Sequence, residues 1–391
     1  MSKIVAKTGN EAMAEAMRQI NPDVVAAYPI TPATEIVQIF SSFVSNGEVD
    51  TVFVPTESEH SAISACVGAS AAGARVMTGT SSQGLALMHE ILFVAGGLRL
   101  PIVICEVNRA LSAPINIHCD HSDTMASRDA GWIQIFSEDP QEAYDQTILA
   151  VKLSENLFLP SMVTTDGFII SHAMQRVEMY DDDEVKKYLG EPKTPYNILD
   201  VDNPITVGPL ALQDYYMEIK VQQANFIRES KTKIKEILND FNKSMRRNYN
   251  VVEKYMMDDA EYCFIALGST AGTIRYVVDK LRKEGQKVGS LKIRFYRPFF
   301  EEDIIESLKN VKGCAVFDRS DMFSGTGGHL FNDIKSALYM SASKPILRDY
   351  VYGLGGRDID VDDIEKVYFD IKDFTEKNGK GDTVRYITVR E

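Results

Sequence analysis

Three polar side chains stand just after extended apolar runs of this chain. Thr31 follows the run VVAAYPI, Glu59 comes soon after TVFVP, and Arg109 comes soon after PIVICEV. A guanidinium can clamp a carboxylate with two parallel hydrogen bonds. A hydroxyl held in place can donate a hydrogen bond, and a carboxyl group can hold or share a proton. These three side chains are therefore the first candidates for chemistry.

Thr31 lies in the loop YPITPATE, between Pro29 and Pro32. Because each proline fixes its φ angle, the loop is stiff and holds the Thr31 hydroxyl at the carboxyl end of the preceding strand. The alternative interpretation is that Thr31 only caps the helix predicted to begin at Ala33.

Two glutamates, Glu57 and Glu59, begin a helix rich in Ala, Gly and Ser. The helix dipole favours a carboxylate in the first turn, so a solvated helix start is the alternative interpretation for both. Only Glu59 heads the apolar face that continues through Ile63, Val67 and Ala71, which predicts that its side chain points inward. Because a buried acid needs a partner, Glu59 is the candidate acid–base residue.

Arg109 precedes a loop that carries Asp120, His121, Ser122 and Asp123. A salt bridge from Arg109 to one of the two aspartates is the alternative to a contact with a bound carboxylate. The His/Asp cluster has neither the HExxH spacing nor that of a 2-His-1-carboxylate triad, so no metal site is predicted.

The order of the elements predicts the sheet that positions these residues. From residue 1 to about 170, near-continuous apolar strands alternate with helices, which is typical of a parallel α/β sheet covered on both faces. The expected strands are 24–30, 51–55, 75–81 and 101–107. Ligands of such sheets bind at the carboxyl ends of the strands, where the candidate residues lie.

A second, smaller α/β unit follows a polar connection. An acidic run, a proline-bearing stretch and a long polar helix over about 212–247 separate the two units. We place the domains at 1–246 and 247–391. The expected strands of the second unit are 262–269, 287–295 and 314–320.

Several turns carry glycines or hydroxyls that could contact a phosphate. The turn TGTSSQG opens a helix in the first unit, but it has neither GxGxxG nor P-loop spacing. Three glycine-bearing turns, GSTAGT, FSGTGGH and GLGGRD, follow extended runs in the second unit. Tight strand-to-helix turns need glycines without any ligand, and this is the favoured interpretation.

Composition excludes several classes of protein. The 391 residues are 45% hydrophobic and 25% charged, and the formal net charge is −14, so a polyanion such as DNA or RNA would be repelled. Without an export signal or a run of about 18 apolar residues, we expect a cytoplasmic protein. The cysteines lack CxxC spacing and are expected to be reduced core thiols, with no zinc or iron–sulfur site in this chain.

Several ordered motifs together resemble one family. The chain resembles the α subunit of pyruvate:ferredoxin oxidoreductase, one of the thiamine-diphosphate-dependent 2-oxoacid:ferredoxin oxidoreductases, in YPITP, in ESEHSAISACVGASAAGARVMTGTSSQGLALM, and in NRALS with CDHSDTM. It resembles the transketolase C-terminal-like domain of that family in ALGSTAGT, LKIRFYRPF and VFDRS. The resemblance covers nearly the whole chain. It implies a pyrimidine-type thiamine-diphosphate-binding domain with a parallel sheet, followed by the smaller transketolase C-terminal-like α/β domain.

The resemblance implies roles for the three candidates. Glu59 corresponds to the glutamate that hydrogen-bonds N1′ of the thiamine aminopyrimidine, Thr31 to the threonine that contacts the carboxylate end of the substrate, and Arg109 to the arginine that neutralises that carboxylate. The motif CDHSD departs from the GDHSD form of the family, because Cys119 replaces a glycine.

The resemblance also implies an activity. The expected reaction converts pyruvate, coenzyme A and oxidised ferredoxin to acetyl-CoA, carbon dioxide and reduced ferredoxin, reversibly, and only with β, γ and δ subunits. Mg²⁺ and [4Fe-4S] clusters would belong to those partner subunits, because this chain has no GDG…N diphosphate motif and no cluster spacing. Two alternatives stay open: the same chemistry on 2-oxoglutarate, a branched-chain 2-oxoacid or oxalate, and a non-catalytic scaffold subunit.

Overall fold

The fold was analysed in a computed structural model that describes residues 3–390. Its strands are β1 (Lys3–Lys7), β2 (Val24–Ala27), β3 (Val52–Pro55), β4 (Val76–Thr80), β5 (Ile102–Asn108), β6 (Ile133–Phe136), β7 (Ser161–Asp166), β8 (Gln175–Met179), β9 (Val252–Tyr255), β10 (Tyr262–Ala266), β11 (Val288–Ile293), β12 (Phe295–Arg297), β13 (Gly313–Asp318), β14 (Ile346–Val351) and β15 (Val384–Tyr386).

The helices alternate with these strands along the chain. They are α1 (Gly9–Ile20), α2 (Thr34–Ser45), α3 (Glu59–Ala71), α4 (Ser82–Gly97), α5 (Ser122–Ala126), α6 (Pro140–Leu157), α7 (Asp182–Leu189), α8 (Tyr216–Met245), α9 (Thr270–Lys283), α10 (Glu301–Leu308), α11 (His329–Tyr339) and α12 (Val361–Glu376). Among the described residues, no helix is both long enough and apolar enough to cross a bilayer.

The first sheet has seven strands in the order β12-β6-β7-β5-β4-β2-β3. Six of them pair in parallel, as the alternating apolar pattern predicts. Apolar side chains on one face pack against α3 and α4, and those on the other face pack against α1, α2 and α6. Since both faces are covered, the carboxyl edge of the sheet is left for the loops that carry the candidate residues.

The second sheet has six strands in the order β15-β14-β13-β10-β11-β9. Its strands are parallel except β9, which pairs with β11 in the antiparallel sense. A separate apolar cluster packs this sheet against α9 and α12. The predicted α/β fold class is therefore confirmed, with two mainly parallel sheets in one chain.

One predicted strand is confirmed but is shorter than expected at its carboxyl end. The expected strand 287–295 ends at Ile293, and β12 crosses to pair with β6 in the antiparallel sense at the edge of the first sheet. The break falls at Arg294, a fully buried residue whose guanidinium binds Glu142 at 2.7 Å and Glu253 at 2.5 Å. An apolar run alone does not reveal that a buried ion pair interrupts it.

Side-chain caps mark the start of two helices, α1 and α3. Thr8 caps α1 in a capping box with Glu11, and the Ser58 hydroxyl accepts a hydrogen bond from the backbone N–H of Ser61 at the start of α3. The helix expected from Ala33 begins at Thr34 instead. The Ser58 cap thus fixes where the loop between β3 and α3 ends, directly before Glu59.

Candidate functional site

Glu59 is the first residue of α3 and lies inside the protein. Only 6% of its surface is exposed, whereas Glu57 is exposed and accepts a hydrogen bond from Ser61 that lowers the pKa of Glu57. Among the described residues, none forms a hydrogen bond or an ion pair with the carboxylate of Glu59. The alternative of a solvated helix start is therefore wrong for Glu59.

Gly84, in the first turn of α4, brings that helix close to Glu59. A Cβ on Gly84 would come within 2.7 Å of Glu59 Oε1 and 2.4 Å of Thr80 Oγ1. The glycine thus leaves two oxygens facing one small space, and the Thr80 hydroxyl is buried without a hydrogen-bond partner among the described residues. Buried polar atoms left in this way mark a place where an external polar group can complete the bonding.

Arg109 and Thr31 meet across the carboxyl edge. Arg109 Nη1 donates to the carbonyl oxygen of Thr31 at 3.0 Å, and its Nε donates to the carbonyl oxygen of Asn116 at 2.7 Å. Burial lowers the pKa of Arg109. Because its partners are neutral carbonyl groups, the guanidinium keeps a positive charge that a bound carboxylate can neutralise.

Two alternatives from the sequence do not hold. The guanidinium of Arg109 forms no salt bridge with Asp120 or Asp123; Asp123 Oδ2 instead accepts a hydrogen bond from the backbone N–H of Arg109 at 2.9 Å. Thr31 does not cap α2, because that helix is preceded by Ala33 without a side-chain cap. Thr31 is exposed beside Arg109, so its hydroxyl remains a candidate for a substrate contact.

Asp123 fixes the two loops that flank Arg109. Its Oδ2 accepts from the backbone N–H of Ser82 at 3.1 Å as well as from Arg109, and its Oδ1 accepts from Asn108 Nδ2 at 2.9 Å and from the N–H of Thr124 at 2.7 Å. Each carboxylate oxygen thus has two donors. The helix α4 and the end of β5 are thereby held at a fixed separation.

Residues from the second sheet hold the loop that carries CDHSD. His121 Nε2 lies 2.7 Å from Asp166 Oδ1, and the backbone N–H of Ser269 donates to Asp166 Oδ2 at 3.1 Å. Although burial alone would raise it, His121 and Arg319 hold the pKa of Asp166 below its usual range. The backbone N–H of Gly356 donates to the carbonyl oxygen of Cys119 at 2.6 Å.

Cys119, His121 and Asp166 place one ligand atom each within 4.8 Å of one another. This trio does not suit a metal ion. Asp166 is already bonded to His121 and lies 4.0 Å from the guanidinium of Arg319, and burial raises the pKa of the Cys119 thiol, which favours its protonated form. Cys119 has no left-handed backbone, so the fold does not require the glycine that the family form carries there.

The glycine turns of the second sheet pack against other residues of the protein. A Cβ on Gly268 would meet the carboxylate of Asp166, and the N–H of Gly328 donates to Asp349 at 2.6 Å. Gly355 accepts a hydrogen bond from Asn116 through its carbonyl oxygen. These contacts agree with turns that are built for close packing.

Sequence reasoning missed Glu106, Asp166 and Arg319. Asp166 is the last residue of β7, and Arg319 comes directly after β13. No spacing along the chain relates either residue to His121. Glu106 did carry a signal, because it is a lone carboxyl in the otherwise apolar run PIVICEV. A charged residue inside a strand that is buried on both faces needs a reason.

Two sequence families match the chain. The family described as pyruvate flavodoxin/ferredoxin oxidoreductase, thiamine diphosphate-binding, matches residues 15–239, and pyruvate:ferredoxin oxidoreductase core domain II matches residues 260–364. The chain belongs to the 2-oxoacid:ferredoxin oxidoreductase family. The resemblance found in the motifs is thereby confirmed, and the chain corresponds to the α subunit of that family.

Relatives of this oxidoreductase family extend over its full length. The pyruvate synthase subunit PorA of Thermotoga maritima is 56% identical over 99% of this chain and 98% of its own. The ketoisovalerate oxidoreductase subunit VorA of Pyrococcus abyssi is 44% identical over 98% of this chain and 96% of its own.

A solved structure has the same fold at low identity. The 2-oxoglutarate:ferredoxin oxidoreductase from Magnetococcus marinus, with 2-oxoglutarate, coenzyme A and succinyl-CoA bound, matches with a TM-score of 0.71 and 20% identity. The match covers 94% of this chain and 65% of that chain, so this chain spans less than two thirds of the longer protein.

The residues of the first sheet suit the aminopyrimidine of thiamine diphosphate. The unpartnered Glu59 carboxylate can accept or hold a proton at the N1′ nitrogen, and the missing side chain of Gly84 leaves the approach to Glu59 open. The chain has no GDG…N sequence to hold Mg²⁺ and the diphosphate. Its own groups therefore fit one half of the cofactor.

Proposed function

We propose that this chain is the α subunit of a complex that converts pyruvate and coenzyme A to acetyl-CoA and carbon dioxide and passes two electrons, one at a time, to ferredoxin. The reaction is reversible. The observation that carries the proposal is the buried, unpartnered carboxylate of Glu59 facing Gly84 at the start of α3, because this geometry is suited to hold a proton at one heteroaromatic nitrogen.

Each candidate side chain has one task in this proposal. Glu59 holds a proton at N1′ of the aminopyrimidine, and its low-dielectric surroundings strengthen that hydrogen bond. Arg109 neutralises the carboxylate of the 2-oxoacid, and Thr31 orients the same end with its hydroxyl. Bound thiamine diphosphate supplies the electron sink for decarboxylation. Asp123 keeps the two loops at the spacing that lets Glu59 and Arg109 act on one substrate.

The remaining chemistry is assigned to other components. Mg²⁺ and the diphosphate are held by a β subunit, and [4Fe-4S] clusters on the partner subunits accept the electrons and pass them to ferredoxin. Coenzyme A takes the acetyl group as co-substrate. We place the complex in the cytoplasm, and neither nucleic acid nor a membrane is among its partners.

The proposal is tested with the complex purified after co-expression of its subunits. Pyruvate, coenzyme A and a low-potential dye should give dye reduction that depends on added thiamine diphosphate. Omitting coenzyme A is the matched control, since the acetyl group then lacks its acceptor. A complex that binds thiamine diphosphate but reduces the dye with none of the 2-oxoacids would contradict the catalytic role and favour a scaffold subunit.

A branched-chain 2-oxoacid is the second candidate substrate. It is favoured by one observation: the ketoisovalerate oxidoreductase subunit of Pyrococcus abyssi and the pyruvate synthase subunit of the same organism are 44% and 45% identical to this chain. Measuring kcat/KM for pyruvate and for 3-methyl-2-oxobutanoate on one preparation separates the two. The proposal expects the larger value for pyruvate.

A further inference from the structure

An exposed stretch of the loop between β5 and α5 supports the guanidinium of Arg109. No residue from 111 to 118 is buried. The backbone carbonyl oxygen of Asn116, within this stretch, nevertheless accepts the hydrogen bond from Arg109 Nε at 2.7 Å. A segment with few buried apolar contacts has little packing to fix its position. Hydrogen bonds must therefore hold the carbonyl group that Arg109 uses.

The side-chain amide of Asn116 supplies two such bonds. Its Nδ2 donates to the carbonyl oxygen of Gly355 at 3.0 Å, and its Oδ1 accepts from the backbone N–H of His118 at 2.7 Å. Because the amide nitrogen only donates and the amide oxygen only accepts, the two partners together define the orientation of the side chain. Gly355 lies in the turn after β14, so the first bond joins the exposed stretch to the second sheet.

The same turn also holds the end of the loop. The backbone N–H of Gly356 donates to the carbonyl oxygen of Cys119 at 2.6 Å, and that of Gly355 donates to Asp120 Oδ2 at 3.3 Å. Cys119 and Asp120 are buried, so the core holds this part of the loop as well. Within residues 3–390, the bond from Asn116 is the only hydrogen bond between the turn and the exposed stretch.

The close approach of Asn116 requires glycine at position 355. Gly355 has a φ of +63°, and a Cβ on it would come within 2.4 Å of Asn116 Nδ2. Gly353 has a similar φ of +67°, but the nearest atom to a Cβ there would be Arg319 Nε at 3.3 Å. The two glycines thus have the same backbone requirement, and only Gly355 leaves room for the amide.

We propose that Asn116 is a positioning residue for Arg109: its amide, bonded to Gly355, holds the backbone carbonyl group that orients the guanidinium toward the substrate carboxylate. Through this bond the second sheet influences the binding of the 2-oxoacid without a contact to it. The inference rests on the proposed function, because that function assigns Arg109 to the substrate carboxylate.

The main variant is Asn116→Ala in the complex purified after co-expression. It keeps the backbone carbonyl group and removes both bonds of the amide, so the guanidinium is held less firmly. KM for pyruvate should rise about threefold to tenfold, whereas kcat stays within about twofold of the wild-type value. Thiamine diphosphate affinity, measured by calorimetric titration, should not change. An unchanged KM overturns the proposal.

The matched control is Asn242→Ala. The amide of Asn242, on α8, likewise donates to a backbone carbonyl oxygen and accepts from a backbone N–H, both of Tyr249, at 2.7 Å and 2.8 Å. This variant loses the same kinds of bond in a helix that contributes no residue to the candidate site. KM should stay at the wild-type value even where the melting temperature falls. An equal rise of KM in both variants would indicate a general loss of stability and overturn the proposal.

The double variant shows whether Asn116 acts through Arg109. If it does, adding Asn116→Ala to Arg109→Ala should change KM by less than about twofold, because no guanidinium is left to position. The same threefold to tenfold rise on both backgrounds would mean that Asn116 affects the substrate by another route, and would overturn the proposal.

The two glycines give a second comparison. Gly355→Ala should raise KM as Asn116→Ala does, because the added methyl group displaces the amide. Gly353→Ala introduces a similar backbone strain without displacing the amide, so KM should stay near the wild-type value. Equal KM values in the two glycine variants overturn the proposal.

The outcomes separate this inference from the proposed function. If Arg109→Ala raises KM while Asn116→Ala matches the wild type, the substrate role of Arg109 stands and only the inference fails. If Arg109→Ala leaves KM unchanged, the substrate role of Arg109 fails and the inference fails with it. If the complex prefers another 2-oxoacid, KM is measured for that acid, and the expected ratios are the same because the carboxylate is shared.

Discussion

Buried acids at the carboxyl edges of the two sheets differ in their hydrogen bonding. In the second sheet, Asp318 ends β13 and accepts hydrogen bonds from the backbone N–H groups of Leu330 at 2.9 Å and Phe331 at 2.8 Å, at the start of α11. In the first sheet, none of the described residues forms a hydrogen bond or an ion pair with the buried carboxylate of Glu59. An acid bonded by its own backbone stabilises a turn, whereas an unbonded one is suited to an external group.

The same contrast holds for the cations at the two edges. Arg319, beside the second sheet, is fully enclosed, donates to Thr270 at 3.0 Å and lies 4.0 Å from the carboxylate of Asp166. Within residues 3–390, the hydrogen bonds of the Arg109 guanidinium go to two backbone carbonyl oxygens. A guanidinium without a hydrogen-bonded carboxylate is suited to bind the carboxylate of a ligand. The predictions below test whether this division between ligand groups and structural groups is correct.

Replacing Glu59 by Gln should have the largest effect on turnover. The amide keeps the size of the side chain but cannot share a proton with N1′, and general acid–base steps contribute on the order of 10²- to 10⁴-fold. We expect kcat of the complex to fall by that amount with an unchanged melting temperature. The control is Glu57→Gln, an exposed neighbour; an equal loss in both variants would mean that the wrong glutamate has been assigned.

Replacing Arg109 by Ala should raise KM for pyruvate by about tenfold to a hundredfold, because a charge-assisted hydrogen bond contributes about 1.5 to 3 kcal/mol. Arg109→Lys should recover only part of this loss, since an ammonium group lacks the planar fork. Thiamine diphosphate affinity, measured by calorimetric titration, should change little. An unchanged KM together with a lower melting temperature would instead make Arg109 a structural residue like Arg319.

Replacing Gly84 by Ala should disturb the first edge through packing alone. The added methyl group would lie 2.4 Å from Thr80 Oγ1 and 2.7 Å from Glu59 Oε1, so these side chains or the start of α4 must move. Overpacking of this kind costs about 1 to 3 kcal/mol, and cofactor affinity should fall with it. Gly97→Ala, at the other end of the same helix, has no atom within 4 Å and serves as the control. Equal cofactor affinity in both variants would contradict the close approach.

The smallest effect is expected at the second edge, on stability and its pH dependence. Burial raises the pKa of Asp349 to about 7. An acid with a raised pKa in the folded state binds its proton more tightly there, so its contribution to stability declines as the pH rises from about 4 to about 7 and then levels off. Asp349→Asn should make this decline smaller and leave KM unchanged; part of the decline remains, because burial also raises the pKa of the neighbouring Asp318. Calorimetric unfolding of both complexes across that range checks it, and parallel curves would refute it.

The sequence predicts the first sheet well and its junction with the second sheet poorly. Continuous apolar runs place β4 and β5 within one residue of their observed bounds, because strands buried on both faces leave little choice. The departure of β12 depends on the buried ion pairs of Arg294 with Glu142 and Glu253, which come from three distant parts of the chain. Local pattern carries no information on such pairs.

Some residues of the candidate site can likewise be predicted from the sequence, and others cannot. The apolar face that continues through Ile63 points to Glu59, and the end of an apolar strand points to Arg109, so both are predictable locally. The groups that hold the neighbouring CDHSD loop are not, because Asp166 at the end of β7 meets His121 only when distant strands pair, and Ser269 reaches Asp166 only when the two sheets pack together. Glu106 is an intermediate case: its type is anomalous in its strand, but its place beside Thr80 requires the register of two strands.

The exchange of the C2 proton of bound thiamine diphosphate with deuterium tests the central claim most directly. It reports whether Glu59 activates the cofactor, without dependence on substrate, coenzyme A or electron carrier. In the complex, the exchange should slow by about 10²- to 10⁴-fold in Glu59→Gln and stay at the wild-type rate in Glu57→Gln. An unchanged exchange rate in Glu59→Gln with cofactor fully bound would contradict the account.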